Sequence, residues 1–303
     1  MISHFLNNIQ SIENKKHLNM KRIVLFAFFL VQLAVTNAQK WTNCGDLEMK
    51  QISVGSDGTA WAVTTGDLSY KWNGVKWECM SSNDFVAYIA CGSESNTWGL
   101  TPDGQILKWN SQKWTNNNVP ELVKDLKISG NGIVWGLRLG DGQAMRWNAT
   151  KWAEKNPGNI FKIISLAKDG NPWAIDTKGT LWRWVANKWE SVGSGFKDIS
   201  AGSTTLVWAV NIAGETLKWE NNSFTKITPT EKIATIVTVM TESGTTPKPA
   251  TWAIAESGQV WTIASTNWSK TVAGDTKTKI FIGGDGSVWS IDQNNISYRI
   301  DAK

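Results

Sequence analysis

Histidine is almost missing from this chain. The two present, His4 and His17, both precede Met20. There the charged pair Lys21-Arg22, the apolar run from Ile23 to Val35 and the small-residue segment Thr36-Asn37-Ala38 read as a secretory signal peptide spanning 20–38. Cleavage after Ala38 leaves 39–303 without an imidazole, which excludes a Ser-His-Asp triad, a proton shuttle near neutral pH and a histidine-ligated zinc. Residues 1–19 are then an N-terminal extension, or a long charged start to the same signal if Met1 initiates the chain. A long apolar run is missing as well. The stretch from Ile23 to Val35 falls short of the roughly 20 residues that a membrane-spanning helix needs, so secretion is expected and a membrane span is not.

Cysteine is scarce and odd in number: Cys44, Cys79 and Cys91. In an oxidising compartment a bond between Cys79 and Cys91, which share one sequence unit, is the first expectation. The other reading is that Cys91, standing where Val54 stands in the matching strand, is a small buried hydrophobe. Charge of one sign is also lacking. The formal +5 of the whole chain falls by three when Lys15, Lys16, Lys21 and Arg22 leave with Glu13, which argues against a nucleic-acid-binding face. No metal-ligand cluster, nucleophile elbow, phosphate-binding glycine loop or acidic calcium loop appears. The carboxylates are scattered among similar turns and single out no pair for glycoside hydrolysis. No enzyme and no cofactor are expected.

Tryptophan, in contrast, occurs 20 times and on a clock. Trp61, Trp98, Trp135, Trp173, Trp208, Trp252 and Trp289 each open a triplet with a small and then an aliphatic residue, at spacings of 37, 37, 38, 35, 44 and 37. A second position follows 11 or 12 residues on, at Trp72, Trp109, Trp147, Trp184, Trp219, Ile263 and Ile300. A third lies five further, at Trp77, Trp114, Trp152, Trp189, Phe224 and Trp268. The seventh unit has no third residue of its own, but the mature chain starts at Lys40-Trp41, the pair that ends other units. Its last strand is therefore expected to come from the N-terminus.

Within a unit, period-two alternation from Lys50 to Ser56, from Ala60 to Thr64, from Leu68 to Trp72 and from Lys76 to Met80 is broken by Asp57-Gly58, Gly66-Asp67 and Asn73-Gly74. That is four short strands joined by hairpins. Seven such units predict an all-β fold: a β-propeller over 39–303 with seven four-stranded blades, closed by the strand around Trp41. The first- and second-position rings are expected in the core, with the small residues at Ala62, Gly99 and Gly136 permitting close approach of sheets. The third-position rings, on the outermost strand, are expected to be half exposed. The 44-residue spacing places an inserted loop from Thr241 to Pro249 in blade six; it marks either function or drift, and the absence of aromatic residues in it favours drift.

Around the rim an amide, an ammonium and an indole recur together. The candidate ligand-binding residues are Asn73, Lys76 and Trp77; Asn110, Lys113 and Trp114; Asn148, Lys151 and Trp152; and Lys188 with Trp189. Indole faces stack on the C–H face of a sugar while Asn and Lys bond its hydroxyls or an anionic substituent. The structural alternative is that Asn serves the turn and Lys guards an edge strand. Four sequons, at Asn148, Asn221, Asn267 and Asn295, are candidate glycosylation sites in or beside turns.

The run from Ile52 to Val63, Ile-Ser-Val-Gly-Ser-Asp-Gly-Thr-Ala-Trp-Ala-Val, followed by Tyr70-Lys71-Trp72-Asn73-Gly74-Val75-Lys76-Trp77, resembles the tectonin repeat and that of the related fish-egg lectins. The resemblance implies a propeller that binds glycans or bacterial lipopolysaccharide, in innate defence or aggregation, and familiar members imply six blades as the alternative to seven. The expected partners are thus glycans or lipopolysaccharide at several weak sites on one disc, or other extracellular proteins if the propeller faces bind polypeptides.

Overall fold

The computed structural model describes residues 40–81, 84–155, 158–241, 246–264, 266–271 and 276–300. The expected signal peptide and N-terminal extension lie outside them. Among the described residues there is no helix, and the strands form seven four-stranded antiparallel sheets. We letter the strands of each blade a to d in the order in which they hydrogen-bond, from the centre outward. Blade one holds Met49–Val54, Ala60–Thr64, Ser69–Trp72 and Trp77–Cys79 as strands a to d. The a strands touch their neighbours in an unbroken circle of seven. Seven blades, rather than six, follow.

Closure occurs as the orphan Lys-Trp pair predicted. Thr42–Asn43 is the d strand of blade seven, with Thr42 opposite Arg299 and Asn43 opposite Tyr298. The adjoining Trp41 is buried with Trp252 and Ile300. Residues from the two ends of the described chain therefore share one sheet and one apolar cluster.

Blade-to-blade adhesion is aromatic round the whole circle. At five seams the b-strand indole sits between the c- and d-strand aromatic residues of the next blade; at the other two the c-strand position is Ile263 or Ile300, and Trp208 and Trp252 meet only the d-strand rings Trp268 and Trp41. Trp61 meets Trp109 at 5.0 Å and Trp114 at 5.4 Å between ring centroids, both edge-on. The same arrangement joins Trp98 to Trp147 and Trp152, Trp135 to Trp184 and Trp189, and Trp289 to Trp72 and Trp77 across the closing seam. Edge-to-face pairs add about 0.5–1.5 kcal/mol each beyond area burial.

This geometry corrects the expected order of exposure in blades one to three, while in blades four and five the expected order holds, Trp184 and Trp219 being buried and Trp189 and Phe224 half-buried. The third-position rings Trp41, Trp77, Trp114 and Trp152 are buried, with at most 7% of their surface exposed, whereas the second-position rings Trp72, Trp109 and Trp147 are half-buried. In blade two the space for this is opened by the small residue after the b-strand indole. At Gly99 a Cβ would stand 2.9 Å from Val86 and 3.2 Å from the ring of Trp114. The d-strand ring of the same blade folds inward over that gap, and the c-strand ring is left nearer the surface.

Two further expectations are corrected. Cys79 and Cys91 are not bonded: both thiols are free, the first exposed on strand d of blade one and the second buried on strand a of blade two. Neighbours in sequence here are carried to the outer and inner edges of adjacent blades. Cys91 fits its other reading, since burial pushes its thiol up to about 12. In blade six the residues around the insertion lengthen strands: Ile233–Thr241 pairs with Lys248–Ala255, with a bulge between Ile233 and Thr235 and then unbroken register from Thr235 and Ile254 out to Thr241 and Lys248.

Candidate functional site

The a–b turns and c–d hairpins lie at one end of the strands and so share one face of the disc, and three matching clefts open there between blades. The cleft between blades one and two, about 470 Å³, is lined by Lys71 and Asn73 of the first blade and by Glu94, Trp109 and Ser111 of the second. That between blades two and three, about 440 Å³, takes Trp98 and Lys108 from one and Asn131, Arg146, Trp147 and Asn148 from the other. That between blades four and five, about 760 Å³, takes Trp173 and Arg183 with Trp219 and Asn222. Volumes of this order suit one to a few sugar units.

The side chains reach the clefts through strand register. Each basic residue on strand c stands opposite the b-strand indole: Trp61 pairs with Lys71, Trp98 with Lys108, Trp135 with Arg146 and Trp173 with Arg183. Cation and b-strand indole thus start from the face turned toward the next blade, whose own c-strand ring forms the far wall; Arg146, near the hairpin end of its strand, also lines the cleft on the side of the preceding blade. Lys108 Nζ lies 5.5 Å over the Trp98 ring, and the Arg183 guanidinium 5.3 Å over that of Trp219. Lys71 is paired with Glu94 at 2.7 Å. Arg183 donates to Asn222 at 3.2 Å.

The residues expected at the site divide. Asn73 and Asn148 line clefts, but their amide oxygens are taken by the turn: Asn73 Oδ1 accepts from the N–H groups of Val75 and Lys76, and Asn148 Oδ1 from those of Thr150 and Lys151. Asn110 holds its hairpin through Gln112 and Lys113 in the same way. Lys76, Lys113 and Lys151 are exposed on the outer hairpins away from the cleft linings, and Lys188 pairs with Glu190 at 3.2 Å. Burial withdraws Trp77, Trp114 and Trp152 from any stacking surface; Trp189 is half-buried against Phe161. Asn148, Asn221 and Asn267 are exposed, and Asn295 is half-buried.

What the sequence reading missed is the second-position ring as a cleft wall and the cation before it. The signal was present. A basic residue immediately precedes that position in Lys71-Trp72, Lys108-Trp109, Arg146-Trp147, Arg183-Trp184, Lys218-Trp219 and Arg299-Ile300.

A separate cavity of about 440 Å³ runs between the a strands. Its walls are cross-linked. Lys127 Nζ donates to Tyr88 Oη at 2.6 Å and to Asp125 at 2.7 Å, and the Tyr88 hydroxyl donates to the Leu126 carbonyl of the next blade. Asp198 accepts from the Thr235 hydroxyl and the Ile236 N–H of the following blade, and burial holds its carboxyl above the ordinary range against those bonds. These groups are satisfied within the wall. Among the described residues no cluster of His, Cys, Asp and Glu suited to a metal is present, and no helix is long and apolar enough to cross a membrane.

Fold and clefts together define a seven-bladed β-propeller whose blades are joined by aromatic contacts, complete triads at five seams. The family model of the Tectonin domain matches residues 129–303, and the chain belongs to that family. No curated protein matches the sequence. Solved structures with the same fold include a streptogramin B lyase, at 16% identity over 88% of this chain and 100% of that one, TM-score 0.67. YCF48 from Cyanidioschyzon merolae is 13% identical over 86% and 98%, TM-score 0.65. BBS1N in complex with ARL6DN is 10% identical over 88% and 98%, TM-score 0.65. Identities this low establish shared architecture alone.

Proposed function

We propose that this chain is a secreted, multivalent carbohydrate-binding protein that recognises glycans or bacterial lipopolysaccharide on surfaces and performs no covalent chemistry. The observation that carries the reading is the recurrence of one cleft at three seams, each with an aromatic wall beside a cation and a hairpin amide. An indole excludes water from the C–H side of a sugar while the polar groups bond its hydroxyls. Each cleft alone is shallow. Several held on one rigid disc engage a polymeric surface far more tightly than any single one, and membership of the tectonin family is in keeping with this.

The test is binding of the mature protein to an array of glycans and lipopolysaccharides. Retention on at least one class, weakened by Trp109→Ala and Trp147→Ala, is expected; silence across the array refutes the reading. Binding should survive EDTA, because no cleft gathers the carboxylates that calcium requires.

A second reading, a platform for other extracellular proteins, is favoured by one observation. The opposite face, formed by the b–c turns and d–a connections, exposes Phe85, Leu122, Leu139, Ile160 and Ile212. Pull-down from secretions separates the two, since captured partners that free sugar does not release favour the second.

A further inference from the structure

The three clefts differ in charge. Between blades one and two, Lys71 is neutralised by Glu94, and Glu78 is also in the lining, bonded to Asn73 at 2.7 Å. Between blades four and five, Arg183 is shared with Glu190, and Glu220 contributes to the wall. The cleft between blades two and three has no carboxylate in its lining, yet both Lys108 and Arg146 line it. Neither cation forms an ion pair among the described residues. With no carboxylate beside them, the exposed Lys108 and the half-buried Arg146 leave this cleft positively charged next to the half-buried Trp147 ring, a field that favours an anion.

We propose that the cleft between blades two and three is a subsite for an acidic sugar unit, one bearing a carboxylate or a phosphate, while the other two clefts take neutral sugars. The inference rests on the glycan-binding reading above and adds its chemical class. The ring of Trp147 packs the apolar face of the sugar. Lys108 and Arg146 meet its anionic group, the guanidinium as a planar fork and the ammonium as a point charge. Asn148, whose oxygen is held by its turn, offers its amide N–H groups to hydroxyls.

The test uses mature protein made in a bacterium, so that Asn148 carries no glycan, and three calorimetric probes: methyl glucuronide, glucose 6-phosphate and methyl glucoside. Carboxylate, phosphate or both are expected to bind about ten-fold more tightly than the neutral probe at low salt, and the preference should shrink as salt rises. The first two probes distinguish the source of the charge. K108Q/R146Q, at surface positions, should abolish the preference with an unchanged melting temperature, and K113Q, exposed on an outer hairpin away from the clefts, should leave it intact. Equal affinity for all three probes overturns the inference, as does a preference that survives K108Q/R146Q. Failure of every probe while the glycan array is positive overturns the inference alone; a silent array overturns the glycan reading beneath it.

Discussion

Burial of the d-strand indoles brings their N–H groups into the seams, where not every one has an acceptor. Trp114 donates to the Ser69 hydroxyl at 2.9 Å and Trp77 to that of Ser297 at 3.1 Å, in each case the first residue of strand c in the preceding blade. Trp189 occupies the matching place two seams beyond Trp114. There the facing residue is Ala144, fully buried in the same cluster, and the indole N–H has no partner. Ala144→Ser supplies the missing acceptor with one added atom. An unmet buried donor costs roughly 1–3 kcal/mol, and desolvating the new hydroxyl recovers only part of that, so a net gain of about 1 kcal/mol is expected. For a domain of this size the melting temperature rises by roughly 2–4 °C. Thermal unfolding followed by calorimetry measures it, and in a Trp189→Phe background the gain should vanish because no donor remains. Should Ala144→Ser destabilise the protein, or help equally without the indole, the equivalence of the seams is wrong.

The remaining expectations follow from the same geometry. Trp152→Ala empties a buried triad position and should cost about 3–5 kcal/mol in chemical denaturation. Trp147→Ala, at the half-buried cleft wall, should cost less stability and chiefly remove ligand binding. Asp198 has a raised carboxyl, so between the unfolded value near 3.9 and its folded value the native state holds more protons and stability falls as pH rises. Urea unfolding of Asp198→Asn should lack that slope, and a profile identical to the parent would refute the assignment. Thiol labelling should modify exposed Cys79 quickly and leave Cys91 unmodified until unfolding, since the Cys91 thiol is pushed up to about 12 and only the thiolate reacts.

Phased tryptophans disclosed blade number, strand order and the closing strand because an indole at a seam must recur once per blade. Exposure was harder to read. Strand alternation assigns Trp72 and Trp77 to faces of one sheet, but which of the two is covered depends on the void left by Ala62 or Gly99, a relation between strands that spacing does not encode. The same limit applied to Asn73 and Asn148. Their position after a tryptophan is visible in sequence, while the diversion of their oxygens into the hairpin depends on backbone geometry. Nor did separation along the chain reveal that Cys79 and Cys91 belong to opposite edges of adjoining blades.

The pairing of Thr42 with Arg299 also sets the timetable of assembly. Joining segments so far apart costs roughly 5 kcal/mol of chain entropy by the logarithmic law, and during synthesis it must await the strand that carries Arg299. Until then the molecule is an arc with two bare ends, each complementary to the other end of any sister copy. At high concentration such arcs link end to end, so careful dilution during refolding should favour single circles over chains.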